Sequence, residues 1–249
     1  MEHGIFTTVL IQPIYNAFIF LISIIPGHSA GFAIILLTLL IRLIFYPTFS
    51  QAMKTQWGMR RIEGQMEEIK EKYKDNTALR GEKTMALMKA NNVRPFASFA
   101  ALLIQLPVFI ALYIVFIREG FPEIVQNLLY SFTPVPDMVG IVFLGILDLT
   151  HNHNIALAVI VAAAQYVQSR VSQGGTPPPA ANIKPEKAQM MAMQKNMLLY
   201  FIPLLMASVA YSLPAAAGLY LLTNAFASLV QDILVRRKLE ENATAVKTV

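Results

Sequence analysis

Cysteine is missing from all 249 residues, which excludes disulfides, thiolate metal sites, cysteine nucleophiles and a lipid-modified N-terminal cysteine. Charge is also scarce. Asp, Glu, Lys and Arg make up 14% of the chain against 55% hydrophobic residues, too little charge to cover a soluble domain of this size. The first residues carry Glu2 and His3 but neither Lys nor Arg, so the basic leading region of a cleaved secretory signal is absent. Nucleophile and base pairs within the apolar runs are lacking, as are phosphate-binding glycine loops, so neither enzymatic chemistry nor a cofactor is expected. His151-Asn152-His153 is the one approach to a metal-ligand pair, and a solvated loop is the plainer reading of it.

What is present is a series of apolar runs, each near the roughly 20 residues that an α-helix needs to cross hydrocarbon. Five spans are predicted, at 29–50, 96–117, 154–171, 196–212 and 215–235. They are taken as helical because isolated strands leave backbone groups unsatisfied in lipid. The expected fold is therefore an all-α polytopic membrane protein. Residues 1–28 form a leading segment, 29–235 the core and 236–249 a tail. Within 9–25, Phe6, Leu10, Ile14, Phe18, Ile22 and Ile25 repeat at helical spacing, but Gln12, Pro13, Tyr15 and Asn16 interrupt the run. That suits a helix lying along the interface, with a sixth span as the competing reading. The stretch 138–147 is too short to cross and is read as an apolar lead-in to the third span or a re-entrant piece.

Lys and Arg set the orientation, since cytoplasmic loops hold them in excess. Ten lie between the first two spans, from Lys54 to Arg94. Lys184, Lys187 and Lys195 lie between the third and fourth, and Arg236, Arg237, Lys238 and Lys247 follow the fifth. The leading segment has none. With five spans all three basic segments share one side, which puts the N-terminus outside and the C-terminus in the cytoplasm.

In the basic segment 51–94, Ile62, Met66, Ile69 and Tyr73 form one helical stripe. Asp75 and Asn76 break that helix, Gly81 falls in the turn region, and Met85, Met88 and Asn92 form a second stripe before Pro95. The pattern predicts a cytoplasmic helical hairpin with a short apolar seam, marginal in stability and mobile. A solvated basic loop near anionic headgroups is the alternative. The loop 172–195 opens with Gly174, Gly175, Thr176 and three prolines, and then carries Met190, Met191 and Met193 ahead of Met197. Those methionines supply either an adaptable apolar surface or the start of the fourth span.

Arg42 is the residue that calls for explanation, because the run Leu36 to Pro47 offers its charge no partner. An arginine at helix centre costs roughly 2.5–3.5 kcal/mol on insertion scales, which requires a snorkelling path or a watery cavity. Thr38 lies one turn away, and Gln105 lies in the second span. Gln165 and Gln168 share a face of the third, while Tyr220, Asn224, Ser228 and Gln231 form a stripe on the fifth. Each alone reads as interhelical glue. Gathered around an arginine, they could line a hydrated groove, for which Arg42, Thr38, Gln105, Gln165, Tyr220, Asn224 and Ser228 are the candidate residues.

The segment Thr38-Leu39-Leu40-Ile41-Arg42-Leu43-Ile44-Phe45-Tyr46-Pro47, with Gln51 and Lys54, resembles the first-span signature of the YidC/Oxa1/Alb3 insertases. Later passages agree in order. They are Lys72-Tyr73-Lys74-Asp75, the run from Gln105 to Tyr113, Leu147-Asp148-Leu149, and Pro214 with the run from Gly218 to Asn224 and Gln231. Departures are Gly64 near a usual proline, Phe96-Ala97-Ser98-Phe99 in place of a glycine-rich stretch, and Leu221 in place of an aromatic. The short leading segment is similar to the compact members of the family. The resemblance implies a bacterial cytoplasmic-membrane insertase and chaperone whose partners are client membrane proteins and the lipid bilayer. Ribosome, signal recognition particle machinery and Sec translocon are further candidate partners, and no sequence-specific nucleic acid is expected. A small anion transporter or channel is the rival reading, in which Arg42 would bind a solute.

Overall fold

The computed structural model describes residues 7–94, 96–114, 122–173, 189, 193 and 196–247. Over these residues the chain is mostly helical, as an all-α membrane protein should be. The helices are α1 (Gln12–Ile24), α2 (Ala30–Ile44), α3 (Tyr46–Arg61), α4 (Glu63–Lys72), α5 (Thr77–Ala90), α6 (Ala97–Tyr113), α7 (Ile155–Gln173), α8 (Ile202–Ser212) and α9 (Ala215–Lys247). Three stretches are long and apolar enough to cross a bilayer: Thr7–Ile24, Ile155–Gln173 and Ala215–Glu241. The bent pair α2 and α3 makes a fourth. The described part of α6 has 17 residues, and Met197–Ser212, which includes α8, is a shorter apolar helix. Leu103, Leu106, Val159, Ile160, Leu204, Phe226 and Val230 are all exposed, an arrangement that water penalises and lipid does not.

The expected first span is broken. α2 ends at Ile44, and α3 leaves at 72° to it. Pro47 is the cause, because it offers no N–H to the carbonyl of Leu43 and its ring would crowd that carbonyl in a continuous helix. Residues 46–50 therefore begin α3, which packs alongside α6 and α9.

Beyond α3, helices α4 and α5 pack on each other and contain no fully buried residue. Their turn lies at 73–76, where the Asn76 side chain accepts the Leu79 N–H at 3.0 Å and caps α5. Gly81 consequently sits inside α5, not in a turn. Asn92 is not a stripe residue either. Its φ of 54° ends the helix, and the Val93 N–H reaches back to the Met88 carbonyl at 2.9 Å.

At the opposite end of the bundle, segment 122–153 folds over the helix termini. Asn16 of α1 is fully buried, donating to the Leu128 carbonyl and accepting from the Tyr130 N–H and the Thr133 hydroxyl, each at 2.7 Å. The buried face of α1 is Tyr15, Phe18, Ile19 and Ile22, which shares Phe18 and Ile22 with the expected stripe and adds Tyr15 and Ile19, while Ile14 is partly buried. Residues 138–147, expected as an apolar lead-in or a re-entrant piece, carry a short strand pair. Val142–Phe143 and Leu147–Asp148 pair antiparallel around a turn in which Leu144 and Gly145 both take positive φ. Phe143 lies on Gly31 of α2, where a Cβ would come within 2.2 Å of its ring.

The central element is α9, which contacts α7, α2, α8 and α3. Its first turns are Ala215, Ala216, Ala217 and Gly218, small enough for α7 to approach until a Cβ at position 218 would meet Leu157 at 2.5 Å. The helix continues past residue 235 to Lys247, so most of the expected tail 236–249 extends it. At 33 residues it is about 50 Å long, more than the roughly 30 Å hydrocarbon core requires.

Candidate functional site: the Arg42 cleft

The break after Ile44 changes the standing of Arg42. It lies in the last turn of α2, where free carbonyls and the negative end of the helix dipole favour a cation by about 0.3–1 kcal/mol. Its guanidinium reaches the polar stripe of α9. Nε and Nη2 donate to the single Oδ1 of Asn224 at 3.0 and 2.7 Å, Nη2 to Ser228 Oγ at 2.5 Å, and Nη1 to Gln231 Oε1 at 3.2 Å. Asn224, Ser228 and Gln231 stand four and three residues apart, the spacing that stacks side chains on one helical face. All three are neutral, so four of five donors are engaged while no acidic partner among the described residues compensates the positive charge. Phe49 of α3 adds its ring 4.7 Å from the guanidinium carbon.

The buried Gln231 amide turns in two directions. Its oxygen holds Arg42, and its nitrogen donates to the Tyr46 carbonyl at 3.2 Å and to Ser50 Oγ at 3.1 Å, fastening the α2–α3 break to α9. One residue on, the buried Asp232 accepts the Trp57 indole N–H at 2.9 Å and makes a second fastening to α3. The other oxygen of Asp232 is buried and has no hydrogen-bond partner among the described residues.

Arg42 and Asn224 line a narrow cleft of about 10 Å³, room for about one water, together with Thr38, Ile41, Phe49, Ile104, Gln105, Val108 and Tyr220. Gln105 of α6 hydrogen-bonds the Tyr220 hydroxyl, and Phe109 packs on the Tyr220 ring at 6.2 Å. Thr38 spends its hydroxyl on the Ile34 carbonyl at 2.6 Å and so presents mainly its methyl. Of the seven candidates, Arg42, Thr38, Gln105, Tyr220 and Asn224 meet at the cleft, with Ser228 beneath on Arg42. Gln165 stands apart. It is half-buried on α7, which packs mainly on α8 and α9, and it is not among the lining residues. The apolar lining went unnamed in advance, and Gln231, already placed on the α9 stripe by the 224–228–231 spacing, was left out of the candidate residues.

At the end of the bundle covered by 122–153, His151 pairs with Asp148 at 3.0 Å and His153 packs edge-on against Tyr211. Met190 and Met191 lie outside the described residues, whereas Met193 and Met197 are exposed.

The family model described as 60Kd inner membrane protein matches residues 20–242, nearly the whole described chain, the cleft included. The chain belongs to this family. Among relatives of the 60Kd family, the Membrane protein insertase YidC of Clostridium tetani is 30% identical over 222 residues, 89% of this chain and 88% of its own length. That of Oceanobacillus iheyensis is 26% identical over 242 residues, 94% of this chain and 84% of its own. The Alcanivorax borkumensis protein is 29% identical over 213 residues, 86% of this chain but only 32% of its own length.

Proposed function

We propose that this chain is a membrane protein insertase that admits a client's short polar or acidic tail to the Arg42 cleft while the client's apolar segment stays against lipid. The observation that carries the reading is a cation held, among the described residues, by the neutral groups Asn224, Ser228 and Gln231. A carboxylate can displace a neutral partner and later depart, whereas a resident ion pair would have to be broken at each cycle. Size supports the division of labour. A spanning helix about 30 Å long and 10 Å across cannot enter so small a cleft, which leaves the client's apolar segment against lipid. Outward movement of each acidic charge across an inside-negative membrane gains roughly 2.3 kcal/mol per 100 mV.

The orientation follows from charge. Residues 122–153, at one end of the bundle, contain no Lys or Arg, while α3 to α5 and Arg236 to Lys238 gather at the other. We therefore place the N-terminus and 122–153 outside and the C-terminus in the cytoplasm, with five spans, α1 along the outer interface and α4–α5 as a cytoplasmic hairpin. That hairpin is the surface proposed for ribosome or targeting-factor contact. Reconstitution of the purified chain in liposomes with a short-tailed single-span client tests the function. Protection of the tail from added protease should exceed that in empty liposomes, and equal protection would refute it.

A further inference from the structure

Arg42 meets the cleft through one edge. Its Nε and Nη2 hydrogens converge on one atom, the Asn224 carbonyl oxygen, at 3.0 and 2.7 Å. This edge is the fork that two carboxylate oxygens would take in a bidentate pair. Asn224 is half-buried and lines the cleft, whereas Ser228 and the buried Gln231, which hold the rest of the guanidinium, do not. Gln231 is also fastened behind, to Tyr46 and Ser50, so it is poorly placed to leave.

We infer that Asn224 is a neutral placeholder that sets client specificity: its carbonyl oxygen occupies the Nε/Nη2 fork of Arg42 until a client carboxylate displaces it, while Ser228 and Gln231 keep the fork aimed at the cleft. The inference rests on the charged-groove reading and adds which edge of Arg42 is used and which residue yields it. A neutral acceptor suits the role because a single amide oxygen satisfies the donors without neutralising the charge, so a carboxylate outcompetes it. Asn224→Asp would instead supply a resident carboxylate, and Asn224→Ala would leave the fork open.

Insertion into proteoliposomes is measured for two clients that differ only in tail, one carrying Asp and the other Asn at the same positions, with matched amounts of folded, correctly oriented insertase. Wild type should prefer the acidic client. Asn224→Asp should lower the acidic-to-neutral ratio by about tenfold or more, because the client now competes with a tethered charge. Asn224→Ala should keep the ratio at or above wild type. A merely structural asparagine predicts parallel losses for both clients in both variants, and that result, or an unchanged ratio in Asn224→Asp, overturns the inference. If wild type itself shows no preference, the charged-groove reading falls and this inference with it.

Discussion

Gly31 and Trp57 show how single residues hold the two ends of the bundle. A methyl at position 31 would lie 2.2 Å from Phe143 Cδ2 and 2.9 Å from its Cβ, too near the backbone for rotation of the ring alone to relieve. Gly31→Ala should therefore cost about 1–3 kcal/mol in thermal unfolding in detergent, and an unchanged midpoint would show that the strand pair shifts freely. Trp57→Phe removes the one donor to Asp232 among the described residues and leaves both carboxylate oxygens buried without it, at a cost of about 1–3 kcal/mol. Adding Asp232→Leu should restore most of that loss, since an apolar group needs no partner there. Failure to recover would mean that Trp57 acts through packing alone. The polar stripe of α9 was legible in the sequence because helical spacing fixes which residues share a face. Gln165 was misplaced because periodicity assigns faces and not neighbours, and only packing shows that α7 sits with α8 and α9. The Trp57–Asp232 bond joins residues 175 positions apart and left no local signal.

At the scale of elements, boundaries with chemical markers were readable and those without were not. Asn154, the predicted start of the third span, caps α7 through the Leu157 N–H at 2.9 Å. Pro47 was visible too, but its break separates α2 from α3 and lets a single apolar run serve two directions. The 122–153 segment is held by hydrogen bonds to Asn16 and Tyr15, for which composition gives no cue. Within it, the Thr150 hydroxyl, and then the Thr150 N–H, hold the Asp148 carboxyl below its ordinary range. A depressed carboxyl stabilises the fold above its unfolded value near pH 4, and the contribution fades as pH falls through the folded value. The Thr150–His151 turn should thus be better ordered at about pH 5 than in acid well below the ordinary carboxylate range, as read by amide exchange corrected for intrinsic rates. Equal protection at both would contradict this. Helices α4 and α5, with no fully buried residue, should exchange far faster than α7. Protection as strong as in α7 would contradict a mobile hairpin.

For the whole molecule, the proposal joins a lipid-facing apolar exterior to one uncompensated charge near the break of α2. Its orientation can be checked on this cysteine-free chain with single cysteines and an impermeant thiol reagent. Position 130 should label from outside and position 80 only from inside, and the reverse would overturn the topology. The central claim concerns the charge itself. Arg42→Lys keeps the charge but loses the fork and should retain part of the insertion activity, while Arg42→Ala and Arg42→Glu should lose more, most of all for acidic tails. A purely structural arginine predicts similar losses in all three, together with loss of folded protein. The most direct measurement is the insertion rate of an acidic-tailed client by Arg42→Ala in proteoliposomes, at matched amounts of folded and oriented protein. The account predicts a loss of about tenfold or more relative to wild type, shrinking when the tail is neutralised, and a wild-type rate with the acidic client would contradict it.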